Sequence, residues 1–386
     1  MFALTREYGI GDQGVAYPQT ALEAGYNPAG LTDVGERFDI AGGMLYQNGY
    51  TTIKNVPAPF GSFNQRGSNS ESKWLPLAIF GVARNLSKNL VVALSTDGTR
   101  SGKACNNEGF QAFGQGKFGA ELEIPIILPS LAWRANSMHS LGVSFPVYIA
   151  RANIRGVQNL ESLSVAPGLV SNNGYEYAYA FGLKFGWLWH ITPQLNFGAC
   201  YTTRSLVGSH FYKYSGFFPK HGLLAVSPDL KVGVAYRCFH RANLAFQYEC
   251  VFYQNNPTVA NSSFSAVPFG SDAGPSTGWK NANVYTLGGD HWLTHELQVR
   301  MGWTYLPKSV VYSGNVNGNL GTAWYVFKNL VLCGATWYKN CCELGFVIGY
   351  ALPRSVTSPD LASLSGGQIE IEHSQLPFML SFTKKF

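Results

Sequence analysis

Charge is scarce in this chain of 386 residues. Asp, Glu, Lys and Arg make up 13% of it, about half the roughly 25% of an ordinary soluble domain. Long apolar runs are missing too: no stretch of about 18 uncharged apolar residues occurs, which excludes helical membrane spans. The cysteines, Cys105, Cys200, Cys238, Cys250, Cys333, Cys341 and Cys342, contain no CxxC and no Cys/His metal spacing. Their odd number leaves at least one unpaired within the chain. Small apolar residues on strands are the simplest reading of them, with loop or interchain disulfides as the alternative. The formal charge of +6 is spread along the sequence, so a clustered patch for nucleic acid is absent. Histidines lie mainly at turns (His139, His240, His295) or in loops (His210, His221, His373), and no nucleophile motif accompanies them. An enzyme is therefore not indicated, and neither metal nor cofactor is called for. The N-terminus lacks the charged and apolar regions of a signal peptide, so either export is signalled otherwise or the chain is a mature form with Met1 added.

What is present is alternation. From Tyr175 to Ile191 the odd positions are Tyr175, Tyr177, Tyr179, Phe181, Leu183, Phe185, Trp187, Trp189 and Ile191, all apolar or aromatic. The even positions, Glu176, Ala178, Ala180, Gly182, Lys184, Gly186, Leu188 and His190, are mostly small or polar. A strand turns successive side chains to opposite faces, so one face here is wholly greasy. Roughly 9–11 tilted residues cross a bilayer as a strand, and aromatic girdles mark the interfaces of membrane barrels. Tyr175, Tyr177 and Tyr179 would form one girdle and Trp187 and Trp189 the other.

The same pattern repeats. Strands are expected near 37–53, 74–85, 90–103, 120–136, 139–156, 174–191, 195–210, 229–239, 242–255, 282–293, 296–310, 328–338, 341–352 and 376–386, fourteen in all. Lys184, Lys231, Arg237 and Arg300 fall on the parity opposite the greasy face, as a polar lumen requires. Short links alternate with long Gly-, Asn-, Ser- and Pro-rich ones, the arrangement of outer-membrane barrels with short periplasmic turns. The last strand places Phe378, Leu380, Phe382 and Phe386 on one parity, and its terminal aromatic resembles the assembly signal of bacterial outer-membrane proteins. Residues 1–36 do not read as strands. With Gly9, Gly11, Gly14, Gly25, Gly30, Gly35, Pro18 and Pro28, they suggest a compact, partly helical segment.

That segment closes with Asn27-Pro28-Ala29-Gly30-Leu31, just before the first strand. Here the chain resembles the FadL family of outer-membrane transporters for long-chain fatty acids and other hydrophobic compounds, in which an Asn-Pro-Ala sequence lies in a hatch that plugs a fourteen-stranded barrel. Phe2-Ala3-Leu4 is similar to the family's mature N-terminus, Leu297–Tyr305 followed by Pro307 to its eleventh strand, and Tyr148–Ile154 to the end of its fifth. The resemblance implies an all-β fold: a transmembrane antiparallel barrel of fourteen strands over residues 37–386, with residues 1–36 as the hatch inside it. It implies ligand contacts at Phe2, Leu4, Asn27, Pro28 and Ala29. Arg151 matches an arginine that the family places at the ligand pocket.

Strict alternation puts Arg151 on the outward parity with Leu141, Val143, Phe145, Val147 and Ile149, unless a bulge at Pro146 re-aims it. Arg155 and Arg300 are the other candidate cations; each also reads as a solvated lumen charge or a lipopolysaccharide contact. The family's kink in the third strand, which makes a lateral opening into the membrane, falls on Gly98, which equally reads as a turn-proximal glycine. Pro125 and Pro129 cannot donate ladder hydrogen bonds and suggest unpaired backbone beside that opening, or bulges. The long loops hold no clear pair of apolar helices for an outer capture groove; Phe217-Phe218 and Val267–Phe269 are the best candidates. The expected function is passive uptake of a hydrophobic ligand by a monomer in contact with outer-membrane lipid and lipopolysaccharide. A general porin, or an adhesive or structural barrel, is the alternative.

Overall fold

The computed structural model describes residues 5–56, 63–68, 73–97, 102–106, 109–111, 113–239, 241–263, 265–319, 326–358 and 367–386. The alternating segments form fourteen strands. These are β1 (Arg37–Val56), β2 (Trp74–Asn85), β3 (Leu90–Asp97, then Gly102–Asn106), β4 (Phe118–Glu123, then Ile126–Arg134), β5 (His139–Ser144, then Val147–Arg155), β6 (Glu176–Phe181, then Lys184–His190) and β7 (Leu195–Thr202, then Val207–Gly208). They continue with β8 (Asp229–Cys238), β9 (Ala242–Val251), β10 (Ala282–Trp292), β11 (Leu297–Tyr305), β12 (Asn329–Lys339), β13 (Cys342–Thr357) and β14 (Gln368–Lys385). Each pairs antiparallel with the next, and β14 returns to β1, closing the barrel. A further short strand, Phe63–Ser68, pairs with the far end of β1.

Burial alternates as the sequence does. On β13, Glu343, Gly345, Val347, Gly349 and Ala351 are buried, while Leu344, Phe346, Ile348, Tyr350 and Leu352 are exposed. A closed sheet that turns large apolar side chains outward on its spans has its nonpolar solvent on the outside, the lipid-facing band of a membrane barrel. No helix among the described residues is long and apolar enough to cross a membrane. Cys200, Cys238, Cys250, Cys333, Cys341 and Cys342 are free thiols.

The boundaries differ from expectation, most of all at the last two strands. β13 runs on to Thr357 and β14 begins at Gln368, eight residues before the expected start at 376. Pro353, just past the expected strand end at 352, lies at a register shift between the pairs Ala351↔Gln375 and Arg354↔His373, where a missing amide donor costs no ladder bond. The stretch around Tyr175–Ile191 is also interrupted at Gly182-Leu183. Its neighbours explain this. Across β5 the facing residues are Phe145-Pro146, where Pro146 offers only its carbonyl, taken by the Gly182 amide at 3.1 Å. On the β7 side the pairing shifts by two residues, from Lys184↔Thr202 to Phe181↔Val207. The facing parity survives, with Tyr179, Phe181 and Phe185 exposed and Ala178, Ala180, Lys184 and Leu188 buried.

Candidate functional site

The described part of the N-terminal segment, residues 5–36, is short helical turns joined by tight backbone, and it packs on inward-facing positions of the strands. Pairs of cross-strand glycines provide its seats. Gly142 of β5 faces Gly186 of β6. A methyl group on Gly142 would come within 2.3 Å of the Pro28 carbonyl carbon, and one on Gly186 within 2.1 Å of Asn27 Oδ1. Gly288 and Gly302, paired between β10 and β11, press as closely on Ile10 and Gly11, each leaving 2.0 Å. Gly198 and Gly233, paired between β7 and β8, lie against Val15. Without side chains at these points the wall lets another backbone approach it directly.

Asn27 binds the segment together. Its Nδ2 donates to the carbonyls of Val15 (2.7 Å) and Trp187 (2.9 Å), and its Oδ1 accepts from the Ala29 amide at 3.1 Å, capping the turn Pro28–Gly30. Pro28 stands at the first position of that turn, where no donor is needed. Asn27→Ala should loosen the segment by about 1–3 kcal/mol, the cost of leaving buried partners unsatisfied. Amide exchange at Ala29 and Gly30 should accelerate by tenfold or more; unchanged protection would contradict this reading of the motif.

Charges complete the seat. Arg6 donates to the Gln19 carbonyl (2.9 Å) and the Tyr338 hydroxyl (2.8 Å) and pairs with Glu343 (3.1 Å). Arg37 forks onto Asp39 at 2.8 and 2.9 Å, and Asp39 accepts from the Ala21 amide at 2.7 Å. Arg300 faces inward near the short-turn end and is buried. It donates to Thr336 (2.8 Å) and Gln298 (2.7 Å), with its aliphatic stem against Gly9. Two contacts not singled out from the sequence hold the tip of the segment: Lys184 Nζ donates to the Gly25 carbonyl at 2.6 Å, and Lys231 lies over the Tyr26 ring, 5.6 Å from its centroid. Their inward parity was visible in the strand pattern, but their partners lie 159 and 205 residues away and no local signal names them.

Within the segment, burial pushes the Glu7 carboxyl up to about 7, although the Thr20 hydroxyl donates to it. Burial likewise pushes Asp12 up to about 6. Both values are above the unseated ones, 4.5 and 3.8. Between each pair of values the seated form binds more protons, so the stabilisation is complete at low pH and is lost as pH rises through the raised value. The segment should therefore be held most firmly below about pH 4 and progressively less up to pH 7. Amide exchange of residues 5–36, corrected for intrinsic rates, should show it; flat protection from pH 4.5 to 7 would contradict it.

Away from the short turns the lumen changes character. Ile53, Ile126, Leu128, Tyr148, Ala150, Ala152, Ala178, Ala180, Val226, Val251, Ile369 and Ile371, all buried, form one apolar cluster with Phe211 and Tyr214 of the long loops. Ala21, Ala24 and Leu31 of the N-terminal segment belong to the same cluster. The two apolar loop patches suggested by the sequence meet: Phe217 stacks on Phe269 at 5.9 Å, and the Phe269 amide donates to the Leu163 carbonyl.

Beside this cluster the wall parts. The β2–β3 ladder runs from Asn85↔Val91 to Gly81↔Ser95, and there the Thr96 hydroxyl bonds the Phe80 backbone instead. Among the described residues no pair joins 74–80 to Gly102–Asn106. On its other edge β3 pairs with β4 in two registers one residue apart, ending at Asp97↔Ile126 and resuming at Gly102↔Leu122. Asp97, at this step, packs against Gly25.

The expected site residues distribute unevenly. Asn27, Pro28 and Ala29 sit in the seat just described, and Arg300 lies under helix Thr5–Gly9. Phe2, Leu4 and Gly98 lie outside the described residues. Arg151 does not join them. Pro146 introduces no register change between β4 and β5, so alternation holds and Arg151 stays on the outward face, paired with Glu123 at 2.7 Å and stacked on Tyr175 at 4.5 Å. Arg155 pairs with Glu121 at 2.9 Å on the same side.

No family model matches the chain, and no curated protein matches it. Solved structures do. The Pseudomonas putida toluene transporter TodX superposes with a TM-score of 0.71 at 13% identity, covering 98% of this chain and 97% of that one. A Pseudomonas aeruginosa FadL homologue gives 0.70 at 13%, covering 99% and 98%, and the Ralstonia pickettii toluene transporter TbuX gives 0.61 at 14%, covering 100% and 98%. The chain has, over its whole length, the fourteen-stranded barrel fold of the FadL-family outer-membrane channels.

Proposed function

We propose that this chain is an outer-membrane transporter that admits hydrophobic compounds by passive diffusion, with residues 1–36 as a plug and residues 37–386 as the barrel. The observation that carries the reading is the apolar cluster on inward positions of the loop-side half of the strands, floored by Ala21, Ala24 and Leu31. A general porin has a polar, water-filled interior; a lumen lined by isoleucine, leucine and valine disfavours ions and favours chains, at about 0.8 kcal/mol for each buried methylene. The similar solved structures, two toluene transporters and a FadL homologue, agree with this use of the fold.

Asn27, Pro28 and Ala29 hold the floor in place rather than grip the ligand by charge, and Arg300 anchors helix Thr5–Gly9. Phe2 and Leu4 are ligand contacts by resemblance to the family. Exit is lateral, between β2 and β3 where their ladder stops. The barrel works as a monomer, with Arg151 and Arg155 on its outer rim available to lipopolysaccharide. The test is equilibrium binding of hexadecan-1-ol to the purified protein held in amphipol, with conductance measured in planar bilayers. Saturable binding together with conductance far below a porin's is expected; no binding with large open-pore steps would overturn the reading.

A further inference from the structure

One histidine at the short-turn end stands between the N-terminal segment and the wall, and the transport chemistry above does not use it. His190 closes β6 on the inward parity of Lys184 and Leu188, and its side chain is 26% exposed, enough for water to exchange its proton. Its Nε2 lies 3.2 Å from Asp33 Oδ2, in the helical turn Leu31–Val34 near the end of the segment. Its Nδ1 lies 2.9 Å from Oδ1 of Asn196, the residue directly across the ladder on β7.

Both partners present oxygens to the ring. Asp33 is a carboxylate, held at its other oxygen by Arg134 Nη2 of β4 at 2.7 Å. The Asn196 amide is oriented from its far side, where Nδ2 donates to the Ala16 carbonyl at 3.4 Å. Turning that amide over would set oxygen against oxygen at Ala16, so Oδ1 faces the imidazole. A neutral imidazole has one N–H and one lone pair. It can serve one of these acceptors, and it turns its lone pair on the other at hydrogen-bonding distance. The imidazolium donates at both nitrogens and satisfies both.

The elements packed around the ring complete the picture. The N-terminal segment brings Asp33, and β4 brings Arg134, which is turned to Asp33 and to the Thr32 carbonyl. From β7 comes Asn196, and from β5 the Met138 carbonyl, which accepts the His190 amide at 2.8 Å. His139 of β5 lies on the other face of the wall, against Trp187 and Trp189. The charged ring thus ties two separate parts of the segment to the barrel, the closing turn through Asp33 and the loop at Ala16 through Asn196. Arg134 keeps its grip on Asp33 when the proton leaves, so this end is loosened and not released. The seated ring holds its proton more tightly than a free one would, so the tie is complete in acid and is lost as pH rises through the range where a paired imidazole titrates, about pH 6–8.

We propose that His190 is a pH-sensitive latch at the short-turn end of the barrel, clamping the N-terminal segment through Asp33 and Asn196 when its ring is charged and easing it when the ring is neutral, so that passage is slower in acid. The proposal rests on the reading of residues 1–36 as the plug.

The test follows the full chain in amphipol from pH 5.5 to 8.5. In the unsubstituted protein, 15N NMR of the His190 ring should show both nitrogens protonated at the acid end and one at the alkaline end, a result that stands even where a variant fails to fold. Amide exchange at residues 15–17 and 32–34, corrected for intrinsic rates, should be at least about fivefold faster at the alkaline end. His190→Gln should remove that difference at 32–34, while residues 6–10, around Glu7, keep theirs. Asn196→Asp offers the imidazolium a second carboxylate and should move the transition up by about one pH unit or more. In planar bilayers the rise in conductance over the same range should be at least about twofold larger in the unsubstituted protein than in His190→Gln. A ring that keeps one protonation state throughout, or His190→Gln with the full response at 32–34, overturns the latch and leaves the plug reading intact. Exchange that responds while conductance stays flat overturns the plug reading and the proposal with it.

Discussion

Removing residues 1–36 should convert a nearly closed barrel into a conducting pore, raising single-channel conductance by at least about tenfold. Eight strands enclose a lumen that side chains fill, and sixteen or more leave an aqueous channel. Fourteen fall between, and here the inward positions nearest the N-terminal segment are glycines: Gly142, Gly186, Gly198, Gly233, Gly288 and Gly302. They leave backbone-sized gaps that only Ile10-Gly11, Val15 and Asn27–Ala29 fill. The truncated barrel should still assemble, because β1 begins at Arg37 and keeps its full ladder to Lys385 of β14; the shift in gel mobility on heating that marks folded membrane barrels would verify this. A point variant makes the same argument without truncation. Gly302→Val brings its side chain into the Gly11 amide and should raise conductance part of the way. A folded, truncated barrel with unchanged conductance would discard residues 1–36 as the plug.

Why the barrel was legible and much of the site was not follows from how far each signal travels. A strand at a lipid interface declares itself locally: Leu344, Phe346, Ile348 and Tyr350 alternate with Glu343, Gly345, Val347 and Gly349 within eight residues of sequence. Fourteen such segments were countable, and their number is that of the barrel. Register irregularities are silent, because an extra residue carries no composition of its own. The shift at Leu352-Pro353, which turns Arg354 inward, looked like the start of a loop. Arg151 is the converse case: its parity pointed outward and the family resemblance pointed inward, and the unbroken register between β4 and β5 decides for parity. Contacts between the N-terminal segment and the wall were out of reach for a different reason. Asn27 with Trp187 and Lys184 with Gly25 are each about 160 residues apart, and nothing local announces such a pairing.

The second large effect concerns the charges beneath the segment, where Glu343→Leu should destabilise the assembled protein by about 3–5 kcal/mol, the usual cost of stripping one partner from a buried ion cluster. Glu343 is 3% exposed and is approached by Lys385 Nζ at 2.6 Å, Arg6 Nη1 at 3.1 Å and Arg37 Nη2 at 3.4 Å. It therefore links the N-terminal segment, through Arg6, to the closing seam of the barrel between β1, β13 and β14. Leucine has nearly the volume of glutamate and leaves no cavity, so the loss is electrostatic. Arg37 would keep its fork to Asp39, and Arg6, shielded from water by the segment itself, would be left with the Gln19 carbonyl and the Tyr338 hydroxyl. Lys385→Met should matter far less, about 1 kcal/mol or below, because Lys385 is 46% exposed and solvent already screens its charge. Urea midpoints of the folded protein in detergent would separate the two variants, and amide exchange at residues 6–10 should rise for Glu343→Leu alone. Equal midpoints for the two would mean that the cluster is held by the barrel seam and does nothing for the N-terminal segment.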